Sequence, residues 1–504
     1  MKKNILKLLT AFSIATGIAT ISACSDDIEY TTAKDAQLFF ETDTVSFDTI
    51  FTETTSVTER FCVYNRNSKH VRIKQVRLES GGQSGFMINA DGQSGNDIGD
   101  ISVGNNDSIF VFVKARLDKQ SSMSPQLVSD NIIFTLENGN EHKVRLEASG
   151  QDCQTLNART LSADTAFSSS SLPIVVYDSL VIAPNATLTI EAGTTVYFHS
   201  GARLIVRGGL VTRGTADAPV VLRGDRLDRM FTFLPYDRIN DQWGGVQVAP
   251  TCRRLSIDHT DIHSCSIGLN CIDVQGDISV TNSIIHNISS DAIHLQNCSA
   301  VVANTQLSNA KSDCLNIIGG NTCLYHCTLA QFKPETNLSQ GRGHALTVHT
   351  SIDKTEYPVE RADFYNCLIT GYADDEVYCY KKQDEEVNLN FYNCVVLTDI
   401  ADEKYFHNCV ADSKKSERYK ETNFRTIDPH SLFYDFSLDS LSTARGKGSV
   451  EYSRDYPTDL NGVARGESPD AGCYQYVPQD AVGGQKKPLS HTCFPEAATL
   501  ELKK

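Results

Sequence analysis

From residue 35 to about residue 150, apolar and polar positions alternate in short runs. Gln37-Leu38-Phe39-Phe40, Arg60-Phe61-Cys62-Val63-Tyr64, Ser108-Ile109-Phe110-Val111-Phe112-Val113 and Asn131-Ile132-Ile133-Phe134-Thr135 are examples. Turn clusters such as Ser80-Gly81-Gly82 and Glu137-Asn138-Gly139-Asn140 separate them. Short strands at this spacing, with no helical period, predict a β-sandwich over 35–150. Residues 24–34 read as a polar tether before it, and 151–172, ending in Ser168-Ser169-Ser170-Ser171, as a linker after it.

Beyond residue 172 the pattern changes. Leu180-Val181-Ile182, Leu188-Thr189-Ile190, Thr195-Val196-Tyr197-Phe198, Leu204-Ile205-Val206 and Val220-Val221-Leu222 are strands with no amphipathic helix between them, so they are not βαβ crossovers. From Leu255 onward one frame returns. Ile257-Asp258-His259-Thr260-Asp261-Ile262 overlays Val280-Thr281-Asn282-Ser283-Ile284-Ile285, and the frame recurs around Asn304, His326, Asn366 and Asn393. Thr260, Ser283, Thr305 and Cys327 lie 23, 22 and 22 residues apart; the next gaps, 40 and 27, accommodate one coil plus insertions near 334–360 and 381–386. A strand repeat of this period predicts a solenoid over 173–476, with 477–504 as a polar tail.

Stacked coils rise about 4.8 Å each, so a repeated position becomes a column along the axis. The column His259, Asn282, Asn304, His326, Asn366, Asn393 is polar throughout, as a hydrogen-bonded ladder at a tight turn requires. Its neighbour, Thr260, Ser283, Thr305, Cys327, Cys367, Cys394, holds only small residues and predicts an inward corner, with cysteine as a compact hydrophobe. No Cys-x-x-Cys pair exists among the 16 cysteines. They are therefore expected as core filler rather than as a zinc site or a disulfide framework.

The net charge of −16, with 62 acidic against 46 basic residues, excludes binding to nucleic acid or anionic lipid by bulk electrostatics. The N-terminus is different. Met1-Lys2-Lys3-Asn4 is a basic start, and the apolar run that follows is too short to span a bilayer, so 1–23 reads as a secretion signal. Its end, Ile21-Ser22-Ala23-Cys24, resembles a bacterial lipobox, which implies acylation of Cys24 and a membrane anchor. Ser25-Asp26-Asp27 resembles the export signal of lipoproteins in Bacteroides-type bacteria, which implies the outer membrane, facing the exterior, with the periplasmic face as the alternative.

Two resemblances concern the fold. The alternating segment 35–150 resembles the immunoglobulin-like modules of surface proteins. Leu188-Thr189-Ile190-Glu191-Ala192-Gly193-Thr194-Thr195-Val196-Tyr197-Phe198, Leu204-Ile205-Val206-Arg207-Gly208, Gly214-Thr215 and Trp243-Gly244-Gly245-Val246 resemble the first coils of right-handed parallel β-helix proteins with the pectin-lyase-like fold. Asp435-Phe436-Ser437-Leu438, Asp459-Leu460-Asn461-Gly462 and Pro469-Asp470-Ala471-Gly472-Cys473-Tyr474 are similar to their closing segments. The expected fold class is thus all-β, a sandwich followed by a right-handed parallel β-helix. That scaffold carries lyases, hydrolases, epimerases and non-enzymes alike.

Candidate chemistry follows from the columns. Asp291-Ala292-Ile293, Asp313-Cys314-Leu315, His344-Ala345-Leu346 and Asp375-Glu376-Val377 predict an outward column Asp291, Asp313, His344, Asp375, suited to acid/base work or to a Ca²⁺ ion. Tyr372, Tyr378 and Tyr380, with Arg342 and Arg361 flanking the insertion at 331–361, predict a sugar-stacking groove. His263, His286 and His294 read as solvent-facing. No catalytic motif is identifiable. The leading expectation is a surface lipoprotein that binds or presents to extracellular polysaccharide or a surface protein without a required cofactor. The alternatives are a polysaccharide lyase, glycoside hydrolase or epimerase acting on the same face, and a structural or adhesive protein.

Overall fold

The computed structural model describes residues 28–334, 343–399, 402–414 and 423–478. Cys24, Arg342, the signal segment 1–23 and most of the tail 477–504 lie outside these residues. The chain divides into two compact units, Met1–Gln151 and Asp152–Lys504. Both are built of strands. Among the described residues the helical elements are two 3-10 turns, Tyr236–Arg238 and Glu451–Ser453, and no helix is long and apolar enough to cross a membrane.

The first unit is a sandwich of two five-stranded sheets. One has the order Phe39–Phe40, Glu59–Tyr64, Ser108–Ala115, Phe86–Ala90, Gln93–Gly95; the other has Thr44–Phe51, Glu141–Gln151, Gln126–Leu136, Val71–Leu78, Asp97–Val103. Pairing is antiparallel except between Thr44–Phe51 and Glu141–Gln151. The alternation seen in the sequence is the alternation of burial. Ile109, Val111, Val113 and Ala115 are buried, while Phe110 stands in solvent.

The second unit is a parallel β-helix whose coils each offer up to three strands. The first face is the ten-stranded sheet that includes Arg254–Asp258, Asp277–Thr281, Ser299–Ala303, Gly320–Tyr325, Val359–Tyr365 and Leu389–Tyr392. A tight turn leads to the second face, with Thr260–His263, Ile284–Ile288, Gln306–Ala310, Thr328–Gln331, Leu368–Gly371 and Val395–Leu397. The third face carries Leu269–Ile272, Ile293–Gln296, Leu315–Ile318, Leu346–His349 and Val377–Tyr380. Equivalent strands of successive coils pair in parallel and in register on all three faces.

The repeat columns fall where the register requires. His259, Asn282, Asn304, His326, Asn366 and Asn393 occupy the turn between first and second faces, all with φ between 43° and 54°. This left-handed conformation costs most side chains energy, and a short polar residue tolerates it best. Asn304 Nδ2 donates to Asn282 Oδ1 at 2.8 Å, and Asn366 Nδ2 contacts His326 Nε2 at 2.9 Å. One position on, Thr260, Ser283, Thr305, Cys327, Cys367 and Cys394 are buried, and the Ser283 N–H donates to Thr305 Oγ1 of the next coil at 3.3 Å. Aromatic columns repeat at the coil rise: Phe364–Phe391 and Phe391–Phe406 stack at 5.0 and 4.7 Å inside. All fourteen described cysteines are free thiols.

Residues 151–172 are not a linker. Gln154–Leu161 and Thr165–Phe167 pair in parallel with Ile174–Ile182 and Thr187–Glu191, and so form the first coil. That coil is the edge of the solenoid, with most side chains of Gln154–Leu161 in water, which is why its sequence is polar. At the other end residues 423–476 close over the second face and, through Tyr452 and Tyr456, reach Tyr365 and Tyr325 of the first. Tyr474 donates to Gln306 Oε1 at 2.7 Å, the Cys473 N–H to Thr328 Oγ1 at 3.0 Å, and Phe424, Tyr434, Phe436 and Leu438 form a second apolar core against Leu368 and Val395. The second face is therefore buried on both sides, whereas the third face has no such cover from this segment.

Candidate functional site

The third face is built by register. Leu315–Ile318 pairs with Ile293–Gln296 below and Leu346–His349 above, and Val377–Tyr380 follows. Alternation then turns His294, Asn316, Thr347 and Tyr378 outward in one column, and Gln296, Ile318, His349 and Tyr380 in a second. Asp291, Asp313, His344 and Asp375 form the third, at the corner leading into these strands.

This corner column is stacked on the outer side of the wall, since Ala292, Cys314, Ala345 and Glu376, which follow its members, are the inward, fully buried positions, but its side chains are held against the surface rather than projecting into solvent. Asp291 is buried, and the other three are half-buried. The cause is hydrogen bonding between coils. Asp291 Oδ1 accepts the Asp313 N–H at 3.1 Å, and Asp313 Oδ1 accepts the His344 N–H at 2.8 Å. Asp375 accepts the Val377 N–H at 3.0 Å and the Thr398 hydroxyl at 2.9 Å. Each carboxylate thus satisfies backbone donors that the corner leaves outside the sheet ladder. Asp291 Oδ2 also meets His294 Nδ1 at 2.9 Å and accepts from Asn316 Nδ2 at 3.1 Å. Burial pushes the Asp313 carboxyl up to about 6; the bond from His344 opposes this and the charge of Asp291 adds to it.

The aromatic residues divide. Tyr378 and Tyr380 stand together on the third face, 6.0 Å apart and 41% and 51% exposed. Each is backed by a histidine of the preceding coil: Tyr378 stacks on His344 at 4.0 Å and Tyr380 on His349 at 4.8 Å. Tyr357, from the loop after Leu346–His349, accepts a hydrogen bond from Gln296 Nε2 at 3.1 Å and stands at the same face. Tyr372, by contrast, packs edge-on against Phe332 at 4.9 Å in the core under the closing segment. Arg361 lies on the first face, where it donates to Asp363 Oδ2 at 2.6 Å and to the Tyr365 hydroxyl at 3.0 Å. Neither shares a face with Tyr378, because the chain turns one corner between Tyr372 and Tyr378 and two between Arg361 and Tyr378. Sequence proximity was a poor guide in a fold whose neighbours are one coil apart.

A second polar cluster lies on the outer side of the second face. His263 and His286, expected in solvent, are 3% and 4% exposed. His263 Nδ1 is 2.9 Å and His286 Nε2 3.1 Å from Asp261 Oδ1. His263 Nε2 is 2.8 Å from Asp237 Oδ1, which Arg223 holds at 2.9 Å. Burial raises the Asp237 carboxyl and lowers the His263 imidazole, but the facing charges prevail: Asp237 is held well below its ordinary value and His263 is raised to about 9. Asp261 and Asp237 escaped the sequence reading because one is an ordinary strand position and the other sits in the irregular loop 225–242. The only signal was His263 and His286 at the same point of consecutive repeats.

No family model matches the chain, and no curated protein matches it. Among solved structures it is similar to a family 123 glycoside hydrolase from Clostridium perfringens, described in connection with glycolipid glycan hydrolysis. Identity there is 9% with a TM-score of 0.18, over 24% of this chain and 26% of that one, so this chain spans about a quarter of the hydrolase. It is also similar to a PapD-like domain of human CEP192, at 12% identity and a TM-score of 0.17, over 27% of this chain and 96% of that one. Likenesses this partial bear on neither activity nor substrate.

Proposed function

We propose that the protein is a lipid-anchored surface β-helix that binds an extended extracellular polysaccharide along its third face. The observation that carries this reading is the Tyr378–Tyr380 pair. Two exposed rings, each backed by a stacked histidine, make rigid platforms for the apolar faces of sugar rings. His294, Gln296 and Asn316, all half-buried, add hydrogen-bonding groups further down the axis on two adjacent coils. The reading needs no cofactor. Ca²⁺ enters only where the glycan is itself acidic, because the protein is acidic too. In this reading Cys24 carries the anchor and Ser25-Asp26-Asp27 directs export to the exterior.

The test is affinity electrophoresis of the mature chain against a polysaccharide panel, with and without Ca²⁺. Tyr378→Ala and Tyr380→Ala should each weaken the retained glycan about tenfold, at about 1–1.5 kcal/mol per stacked ring. Undiminished retention of both variants defeats the reading, as does retention by none of the panel with capture of a surface protein instead. A second reading, cleavage of the glycan, draws on Asp313, whose carboxyl near 6 can carry a proton in the working range. It requires product release that Asp313→Asn abolishes while binding persists.

A further inference from the structure

We propose that Asp261, His263 and His286 bind one divalent cation of the zinc class. The three sit on two adjacent coils of the second face. Asp261 and His263 are two residues apart on one strand and so point the same way, and His286 is the register partner of His263 one coil on. Their rings stack at 4.8 Å and 26°, and all the potential ligand atoms lie within 4.8 Å of one another. Two imidazole nitrogens and one carboxylate oxygen therefore converge on one point.

The donor set selects the metal. Ca²⁺ and Mg²⁺ take oxygen ligands, whereas two imidazoles with one carboxylate suit Zn²⁺ and its neighbours in the transition series. With metal–ligand bonds of about 2.0–2.1 Å, a tetrahedral ion separates its ligand atoms by about 3.3 Å. Asp261 Oδ1 already stands 2.9 and 3.1 Å from the two imidazole nitrogens, so each separation needs to open by only a few tenths of an ångström. Three protein ligands leave a fourth position for water or substrate.

The surroundings match what a metal-bound imidazole requires. The other nitrogen of His263 meets the Asp237 carboxylate, the carboxylate–histidine arrangement that fixes ring orientation and strengthens the ligand. Asp237 is in turn held by Arg223 and anchored through its carbonyl, which accepts the Ser264 hydroxyl at 2.6 Å. Asp237 belongs to the 3-10 turn Tyr236–Arg238 of the loop 225–242, and Arg223 to the coil beneath. A cation here would tie two coils and this loop together, at a site distinct from the third face.

The experiment uses the untagged mature chain, stripped with chelator and dialysed against Zn²⁺ or Co²⁺. One ion per chain is expected by elemental analysis, with a Co²⁺ spectrum of tetrahedral type. His286→Gln should weaken Zn²⁺ binding at least tenfold, while His294→Gln on the third face leaves it unchanged. Trp243, the chain's single tryptophan and buried in the solenoid, reports by fluorescence whether each variant folds. Should His286→Gln fail to fold, X-ray absorption on the wild-type Zn²⁺ complex decides: nitrogen and oxygen ligands at about 2.0–2.1 Å support the site. Sulfur at about 2.3 Å, which would place the ion among the cysteines, overturns it, as does stoichiometry below one ion in ten chains.

Discussion

Replacing Asn366 by alanine and by glycine separates two contributions that every turn of the polar column combines. Asn366 is fully buried with φ of 54°. Its amide donates to the Ser449 carbonyl at 2.9 Å and contacts His326 Nε2 at 2.9 Å, while its Oδ1 accepts the Ser449 N–H at 2.7 Å. Alanine removes all of these and strands the Ser449 N–H, while the Ser449 carbonyl keeps the Ser453 hydroxyl at 2.8 Å. At about 1–2 kcal/mol for the stranded group, and about 1–2 kcal/mol more because alanine must hold the left-handed conformation, the total is about 2–4 kcal/mol. Glycine loses the same hydrogen bonds but not the last contribution, so Asn366→Gly should be more stable than Asn366→Ala by about 1 kcal/mol. That order is the reverse of an ordinary strand position, where glycine is the worse residue. Urea unfolding followed by Trp243 fluorescence reads it directly, since that signal comes from the solenoid alone. Equal midpoints for the two variants, or a midpoint for alanine close to wild type, would refute the account of this column.

Two further outcomes concern buried titratable groups. The Asp313 carboxyl lies above its ordinary 3.8, so the protonated form favours the fold: its stabilising contribution is complete below about pH 4 and is lost as pH rises through about 6. Relative to Asp313→Asn, the wild-type melting temperature should therefore fall between pH 4 and 7, and a constant difference contradicts the burial argument. Burial raises the thiols of Cys265, Cys271 and Cys314, so alkylating reagents should spare them in the native chain and reach them after unfolding, while half-buried Cys62 and Cys153 react first. Peptide mass mapping checks this, and disulfide-linked peptides spanning Cys327 and Cys367 would contradict it.

Much of the architecture was legible because the physics of stacking writes itself into single positions. Ser283 and Thr305 fall one coil apart at their corner, and the asparagine column sits at one turn, for the reason of backbone conformation as much as of side-chain bonding. Legibility ended where the repeat did. The first coil, Gln154–Leu161, is an edge with most of its side chains in water, so its composition imitates a linker. Alternation sets the side of the wall on which Asp291 and Asp313 stand, but not that the corner's backbone donors hold both carboxylates against the chain and largely cover them. Tyr372 and Arg361 were grouped with Tyr378 by closeness in sequence, whereas a solenoid groups residues by multiples of its period. Asp237 could be found only in three dimensions, since it reaches His263 from a loop outside the repeat.

The binding face itself is tested most directly by hydrogen–deuterium exchange with the retained glycan at saturation. The account predicts slowed exchange in peptides covering Leu346–His349 and Val377–Tyr380, with the sandwich strands unaffected. Protection confined to the sandwich, or to the first face of the solenoid around Val359–Tyr365, would contradict it.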